Sequence, residues 1–147
     1  RVDLCLALDA AGVHLPSRGL PIDLARRLLG KKKLIAVSCH SLEEVKKAEQ
    51  GGADFAVLGP IYDTPSKRPY GAPLTLPYFS RVKSETEIPL FAIGGIGLEQ
   101  LGDVFSAGAD GVAMISGISA AEDVGRQCRR LLKEINRQSS GFSKTSI

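Results

Sequence analysis

Tryptophan is absent, methionine occurs once, and aromatic residues make up only 5% of the 147 residues. A nucleic-acid surface built from basic side chains interleaved with stacking aromatics is therefore not expected. The net charge is only +3. The basic clusters Lys31-Lys32-Lys33 and Arg126 to Lys133 fall beside predicted helix ends or on a helix face, as solvated surface charge does. No apolar run approaches the roughly eighteen residues of a membrane span, and no charged-then-apolar opening stretch suggests a secretory signal. Neither membrane nor nucleic acid is an expected partner. Cysteines are few and odd in number; Cys5, Cys39 and Cys128 lack metal-ligand spacing. Reduced thiols in a cytoplasmic protein, with no protein-held metal among them, are the expectation.

What the chain has is a packed core and a regular alternation. Hydrophobic residues reach 44% and charged residues 24%, the balance of an ordinary globular domain. Short β-branched runs alternate with amphipathic stretches. Strands are predicted at Gly12–Leu15, Leu34–Ser38, Asp54–Gly59, Leu90–Gly94 and Gly111–Ile115. Helices are predicted at Pro21–Leu29, from Ser41 to about Gln50, and at Thr75–Ser84, Leu98–Ala107 and Ala120–Gln138. Ser41-Leu42-Glu43-Glu44 supplies a capping box for the second of these. Phe55-Ala56-Val57-Leu58 and Leu90-Phe91-Ala92-Ile93 are apolar throughout, as in parallel strands covered on both faces.

Such alternation predicts an α/β fold, either a doubly wound sheet or a barrel. The echo of Gly51-Gly52-Ala53-Asp54 in Ala107-Gly108-Ala109-Asp110-Gly111 favours repeated barrel units, although doubly wound folds use similar turns. A (β/α)8 TIM barrel needs eight strands, so the chain is expected to cover about the last five βα units, with earlier strands upstream of Arg1. Residues 1–138 would form the carboxyl-terminal part of one barrel domain and residues 139–147 a flexible polar tail.

Barrel active sites lie where strands end, and four clusters fall there. Gly94-Gly95-Ile96 leaves backbone N–H groups open to an anion at a helix start, or simply makes a tight turn. Ile115-Ser116-Gly117 occupies the corresponding place one unit later, and paired loops of this kind commonly hold phosphate. Gly59-Pro60-Ile61-Tyr62-Asp63-Thr64-Pro65-Ser66-Lys67-Arg68 opens a long polar loop reaching Pro73. It is either a mobile surface loop or a functional one, in which Thr64, Ser66 and Lys67 offer two hydroxyls and an ammonium to phosphate oxygens. In Ser38-Cys39-His40, His40 is placed either to act as a general base or to help cap the next helix. Cys39 has no neighbour but His40 to activate it and is read as inert. His14, at the end of the first strand, either supports the site or serves it.

The ordered set Gly12-Val13-His14-Leu15, Val37-Ser38-Cys39-His40-Ser41-Leu42-Glu43-Glu44, Gly51-Gly52-Ala53-Asp54, Gly59-Pro60-Ile61, Thr64-Pro65-Ser66-Lys67, Ala92-Ile93-Gly94-Gly95-Ile96, Ala107-Gly108-Ala109-Asp110-Gly111-Val112-Ala113 and Ile115-Ser116-Gly117-Ile118 resembles one family. That family is thiamine-phosphate synthase and its relative, the thiazole tautomerase. The resemblance implies an enzyme joining hydroxymethylpyrimidine pyrophosphate to thiazole phosphate, with magnesium. It implies Lys67, His40 and Ser38 as catalytic residues. Thr64, Ser66 and Lys67 would hold the thiazole-side and pyrophosphate groups, and Gly94, Gly95, Ile115 and Ser116 the thiazole phosphate. Partners would be these small phosphorylated metabolites, with either a homo-oligomer or an upstream segment completing the barrel.

Two departures bear on the reaction. The family's basic second strand and its asparagine-aspartate pair would fall before Arg1. The magnesium-binding aspartate usual after the His14-Leu15 equivalent has no counterpart in Pro16-Ser17-Arg18-Gly19-Leu20. Both weaken a magnesium pyrophosphate site and keep two alternatives open. One is the tautomerase, with a histidine matching His40; the other is a non-catalytic phosphometabolite-binding module.

Overall fold

The structure is a computed structural model, and it describes residues 1–64 and 68–142. Strands β1 (Gly12–Leu15), β2 (Leu34–Cys39), β3 (Phe55–Leu58), β4 (Leu90–Ile93) and β5 (Gly111–Ala113) form one parallel sheet, and their spatial order is their chain order. The order never reverses, unlike that of a doubly wound sheet. Helices α2 (Ile22–Leu29), α3 (Leu42–Gln50), α4 (Leu76–Ser84) and α5 (Leu101–Ser106) make the crossovers. A helix α1 (Val2–Ala7) precedes β1, and α6 (Ser116–Ser119) and α7 (Val124–Phe142) follow β5. Among the described residues no helix is long and apolar enough to cross a membrane.

The strands divide their residues between two faces, as the side-chain period of two requires. Register pairs Leu15 with Val37, Val37 with Ala56, Ala56 with Leu90, and these side chains lie beneath the helices. They join Ala25, Val45, Phe79, Val82, Leu101 and Val104 in one buried core. The opposite face carries His14, Ser38, Phe55, Val57, Phe91 and Ile93. There Phe55 and Phe91 stack with ring centroids 5.0 Å apart. Gly111 lies beside them because a Cβ at that position would come within 2.9 Å of the Phe91 ring.

The repeated glycine-aspartate turns are one device used twice. Asp54 donates its N–H to the Ile35 carbonyl at 2.8 Å, while its Oδ2 accepts from Ile35 N–H at 2.6 Å and from Arg26 of α2. Asp110 donates to the Leu90 carbonyl at 3.0 Å, and its Oδ2 accepts from Leu90 N–H at 2.7 Å and from Lys83 of α4 at 2.6 Å. Each carboxylate thus fastens the first residues of the preceding strand to the helix that leads into that strand.

Helix boundaries follow local caps. Ser41 accepts from Glu44 N–H at 3.3 Å and Glu44 reaches back to His40 N–H at 2.7 Å, so α3 starts where the capping box predicts. The last strand stops at Ala113, short of the predicted Ile115, because Ile115 leaves the extended region at φ −117°, ψ −77° and α6 begins. The long final helix starts at Val124 and not Ala120, since Asp123 Oδ1 accepts from Arg126 N–H at 2.8 Å and caps it there. It extends to Phe142; residues 143–147 lie outside the described residues. The predicted helix at Leu98 opens as a 3-10 turn, Leu98–Gln100, in which Gln100 Oε1 accepts from Gly97 N–H.

Candidate functional site

The carboxyl ends of the strands surround a cavity of about 210 Å³. Ser38 and His40 come to it from β2, Thr64 from the loop after β3, Gly94 and Gly95 from the loop after β4, and Ile115 and Ser116 from the loop after β5. Every predicted catalytic or phosphate-binding residue within the described residues lines this one space, whereas His14 and Gly117 do not. Ser66 and Lys67 lie outside the described residues. Ile96, part of the Gly94-Gly95-Ile96 cluster, lines the cavity too, but the sequence reading missed the rest of the apolar wall: Val57, Ile93 and Ala113 at the strand ends, then Met114. Their apolar runs read only as strand, and which residues of a run face the cavity depends on register.

Close approach of the loops explains the glycines. Ile61 and Tyr62 donate to the carbonyls of Ile93 and Gly94 at 2.9 and 3.1 Å, which draws the loop after β3 against the loop after β4. Gly94 has φ +102° and Gly95 φ +65°, a region L side chains rarely adopt. A Cβ would meet Pro60 at 2.6 Å from Gly94 and Tyr62 at 2.6 Å from Gly95. Gly117 is pressed as closely, with a Cβ position 2.6 Å from the Ile96 carbonyl, and Gln127 of α7 donates to the Gly117 carbonyl at 2.9 Å. The loops after β4 and β5 therefore abut beside the cavity.

His40 is held at both ends. Its backbone N–H goes to Glu44, and its Nδ1 lies 2.6 Å from the Gly59 carbonyl. A carbonyl oxygen only accepts, so Nδ1 carries the proton and Nε2 of the neutral ring keeps a lone pair. The imidazole does not cap α3; Ser41 and Glu44 do. Ser38 Oγ lies 2.7 Å from Nε2 of His14. Thr64 Oγ1 donates to the Tyr62 carbonyl at 3.4 Å.

Other groups nearby are committed elsewhere. Arg68 forms a two-pronged pair with Asp63 and holds that carboxyl below its usual range, so the loop after β3 meets part of its own charge. Cys39 points to the helix side of β2, where burial, with a smaller contribution from Glu44, pushes its thiol up to about 12. It is protonated and inert at neutral pH. Tyr62 packs over Gly95 with its hydroxyl buried and without a partner among the described residues.

A parallel βα-repeat with a cavity at the carboxyl ends of its strands is the arrangement of barrel enzymes. Solved structures share this fold. The 3-hexulose-6-phosphate synthase of Salmonella typhimurium shares the fold at TM-score 0.68 and 18% identity, covering 93% of this chain and 67% of that one.

Residues 1–118 match the family model of thiamine monophosphate synthase, and the chain belongs to that family. It is 45% identical over 127 residues to a thiamine-phosphate synthase of Halalkalibacterium halodurans, covering 86% of this chain and 60% of the relative. With a thiamine-phosphate synthase of Chloroflexus aurantiacus the identity is 44% over 131 residues, 89% of this chain and 60% of the relative. The thiamine phosphate pyrophosphorylase structure from Pyrococcus furiosus superposes at TM-score 0.83 with 34% identity, covering 94% of this chain and 65% of that one. The chain thus spans about 60% of the length of the curated relatives it matches.

Proposed function

We propose that the chain provides the thiazole-phosphate half of a thiamine-phosphate synthase site in a cytoplasmic enzyme. The observation that carries this is the convergence of the Gly94-Gly95 and Ile115-Ser116 loops on the cavity that also holds Ser38, His40 and Thr64. In the reaction, the thiazole ring nitrogen forms a bond to the pyrimidine's exocyclic methylene carbon as that carbon's bond to pyrophosphate oxygen breaks. Pyrophosphate leaves with the electron pair. Gly94, Gly95, Ile115 and Ser116 would hold the thiazole phosphate. Ser38, Thr64, Ser66 and Lys67 would meet the pyrophosphate and the thiazole side. Donors and cations suit this chemistry, because charge grows on the leaving group and the protein supplies no nucleophile.

Magnesium is implied by the synthase reading, but the residues in hand do not fit it. No cluster of three or more metal-ligating side chains occurs among the described residues, and Pro16–Leu20 contains no carboxylate. β1 and β5 each pair on one side only, and open parallel edges invite pairing with another chain. A homo-oligomer or a further segment of barrel is therefore expected to cover them, and a monodisperse monomer of this chain in sedimentation would count against it.

The orientation of His40 favours a second reading, the thiazole tautomerase. With Nδ1 fixed on Gly59, Nε2 offers a lone pair at the cavity, as a proton carrier requires. Both activities, measured with and without magnesium, separate the two. In a synthase, Lys67→Ala abolishes condensation and His40→Ala damages it modestly. In a tautomerase, His40→Ala costs ~10²–10⁴-fold and turnover is indifferent to magnesium. Inactivity of all forms, with thiazole phosphate still bound, would leave a binding module.

A further inference from the structure

His14 is no part of the cavity wall, yet it grips a residue that is. It sits on the cavity-side face of β1, in register with Ala36 of β2. Ser38 is two residues further along that same face, so the Nε2–Oγ contact of 2.7 Å is a diagonal one between neighbouring strands. Ser38 lines the cavity, and His40 follows it by two residues.

A serine hydroxyl has one proton and two lone pairs. With Nε2 bare, Ser38 must spend its proton on His14, and oxygen lone pairs are what remain for the cavity. With Nε2 protonated, His14 donates to Ser38 Oγ, and the hydroxyl proton is released toward the cavity. Only the second arrangement suits an anion's oxygen. We propose that His14 is a positioning residue, which sets through Nε2 whether the Ser38 hydroxyl meets a phosphate-bearing ligand as a donor or as an acceptor. This rests on the reading above that places Ser38 among the ligand contacts. Coupling of this kind is reciprocal: a bound anion draws the proton onto Nε2 of a side chain it does not touch.

The test uses the whole chain and inorganic pyrophosphate as probe, with thiazole phosphate as a second ligand, both followed by calorimetry. His14→Leu is expected to weaken pyrophosphate binding about tenfold, the size of one lost charge-assisted hydrogen bond. His14→Gln, whose side-chain amide supplies an N–H, is expected to restore it. In a Ser38→Ala background, His14→Leu should change nothing further, as a double-mutant cycle between coupled residues requires. Pyrophosphate should also shift the 15N resonance of His14 Nε2 in the unaltered chain and leave it unmoved in Ser38→Ala. Equal weakening by His14→Leu with and without the Ser38 hydroxyl would reduce His14 to a structural role and overturn the proposal. So would pyrophosphate binding indifferent to His14, and the synthase reading would then survive. Binding of neither ligand by the unaltered chain would remove the synthase reading and this inference together.

Discussion

Gly95 is confined twice, by a backbone at φ +65° and by a Cβ position 2.6 Å from Tyr62 Cβ and 3.0 Å from the Asp63 carbonyl. Neither obstacle is a flexible side-chain end. Gly95→Ala must therefore move the loop after β3 or the loop after β4, and both line the cavity. The expected outcome is a loss of thiazole-phosphate affinity of tenfold or more, together with about 1–3 kcal/mol of stability from the strained backbone. Calorimetry and denaturant melts check the two parts separately, and unchanged affinity would remove Gly95 from the site. Tyr62 gives the opposite expectation. Its hydroxyl is buried without a partner among the described residues, so the desolvation cost is already borne. Tyr62→Phe should be neutral or stabilising by up to about 1 kcal/mol, because nothing is left unpaired when the oxygen goes. A clear loss of stability in a urea melt would show that the hydroxyl is satisfied after all.

Among the elements, the aspartate clamps deserve the first mutation. Asp110→Ala leaves Leu90 N–H without its acceptor at the start of β4 and frees Lys83; Asp54→Ala does the same to Ile35 N–H and removes the carboxylate from Arg26, which keeps its bonds to the Gly30, Lys33 and Gly52 carbonyls. Each should cost about 1–3 kcal/mol, and the double variant should lose close to the sum, since the clamps share no residue. Thermal or denaturant unfolding of the three variants checks this. The clamps also mark how far the sequence could be read. The glycine-aspartate echo signalled repeated units, and the Ser41 capping box placed a helix start correctly. The cap at Asp123 went unread because Asp123 is separated from a recognisable apolar pattern by Val124 and Gly125. The helical Val2–Ala7 segment was not assigned at all. Within the site, residues adjacent to glycine turns were legible, since such turns fall where strands end. The diagonal contact of His14 with Ser38 was not, because it requires the register of two strands.

For the molecule as a whole, paired surface carboxylates set the response to acid. Asp63 is held down by Arg68, Asp9 by Lys33, Glu85 by Lys46 and Arg81, and Glu134 by Arg137 and Gln138. Their folded pKa values lie below the unfolded ones, so the unfolded chain binds more protons at low pH. The stability they contribute is complete above the ordinary carboxyl range of about 4 and is lost as pH falls through the lowered folded values. Each ion pair has at least one solvent-exposed member, so added salt should blunt this acid dependence. Urea midpoints measured from pH 6 to pH 2, at low and high salt, check both statements; a midpoint indifferent to pH would refute the first.

The placing of the clamps has a consequence for where this chain tolerates a break. One is closed entirely by residues 26–54 and the other by residues 83–110, and nothing in either crosses the turn at Gly71-Ala72. What does cross there is the β3–β4 pairing, the loop contacts that shape the cavity, and polar contacts of α3: Leu42 N–H donates to the Tyr78 hydroxyl, Lys46 pairs with Glu85, and Glu49 accepts from the N–H groups of Glu87 and Ile88. Two peptides divided at that turn would each keep a complete fastening of their own and would have the strand pairing, the α3 contacts and the cavity loops to re-form. Co-expressed, they should reassemble the cavity, and a chain circularly permuted to begin at Ala72 should fold around the same two anchors.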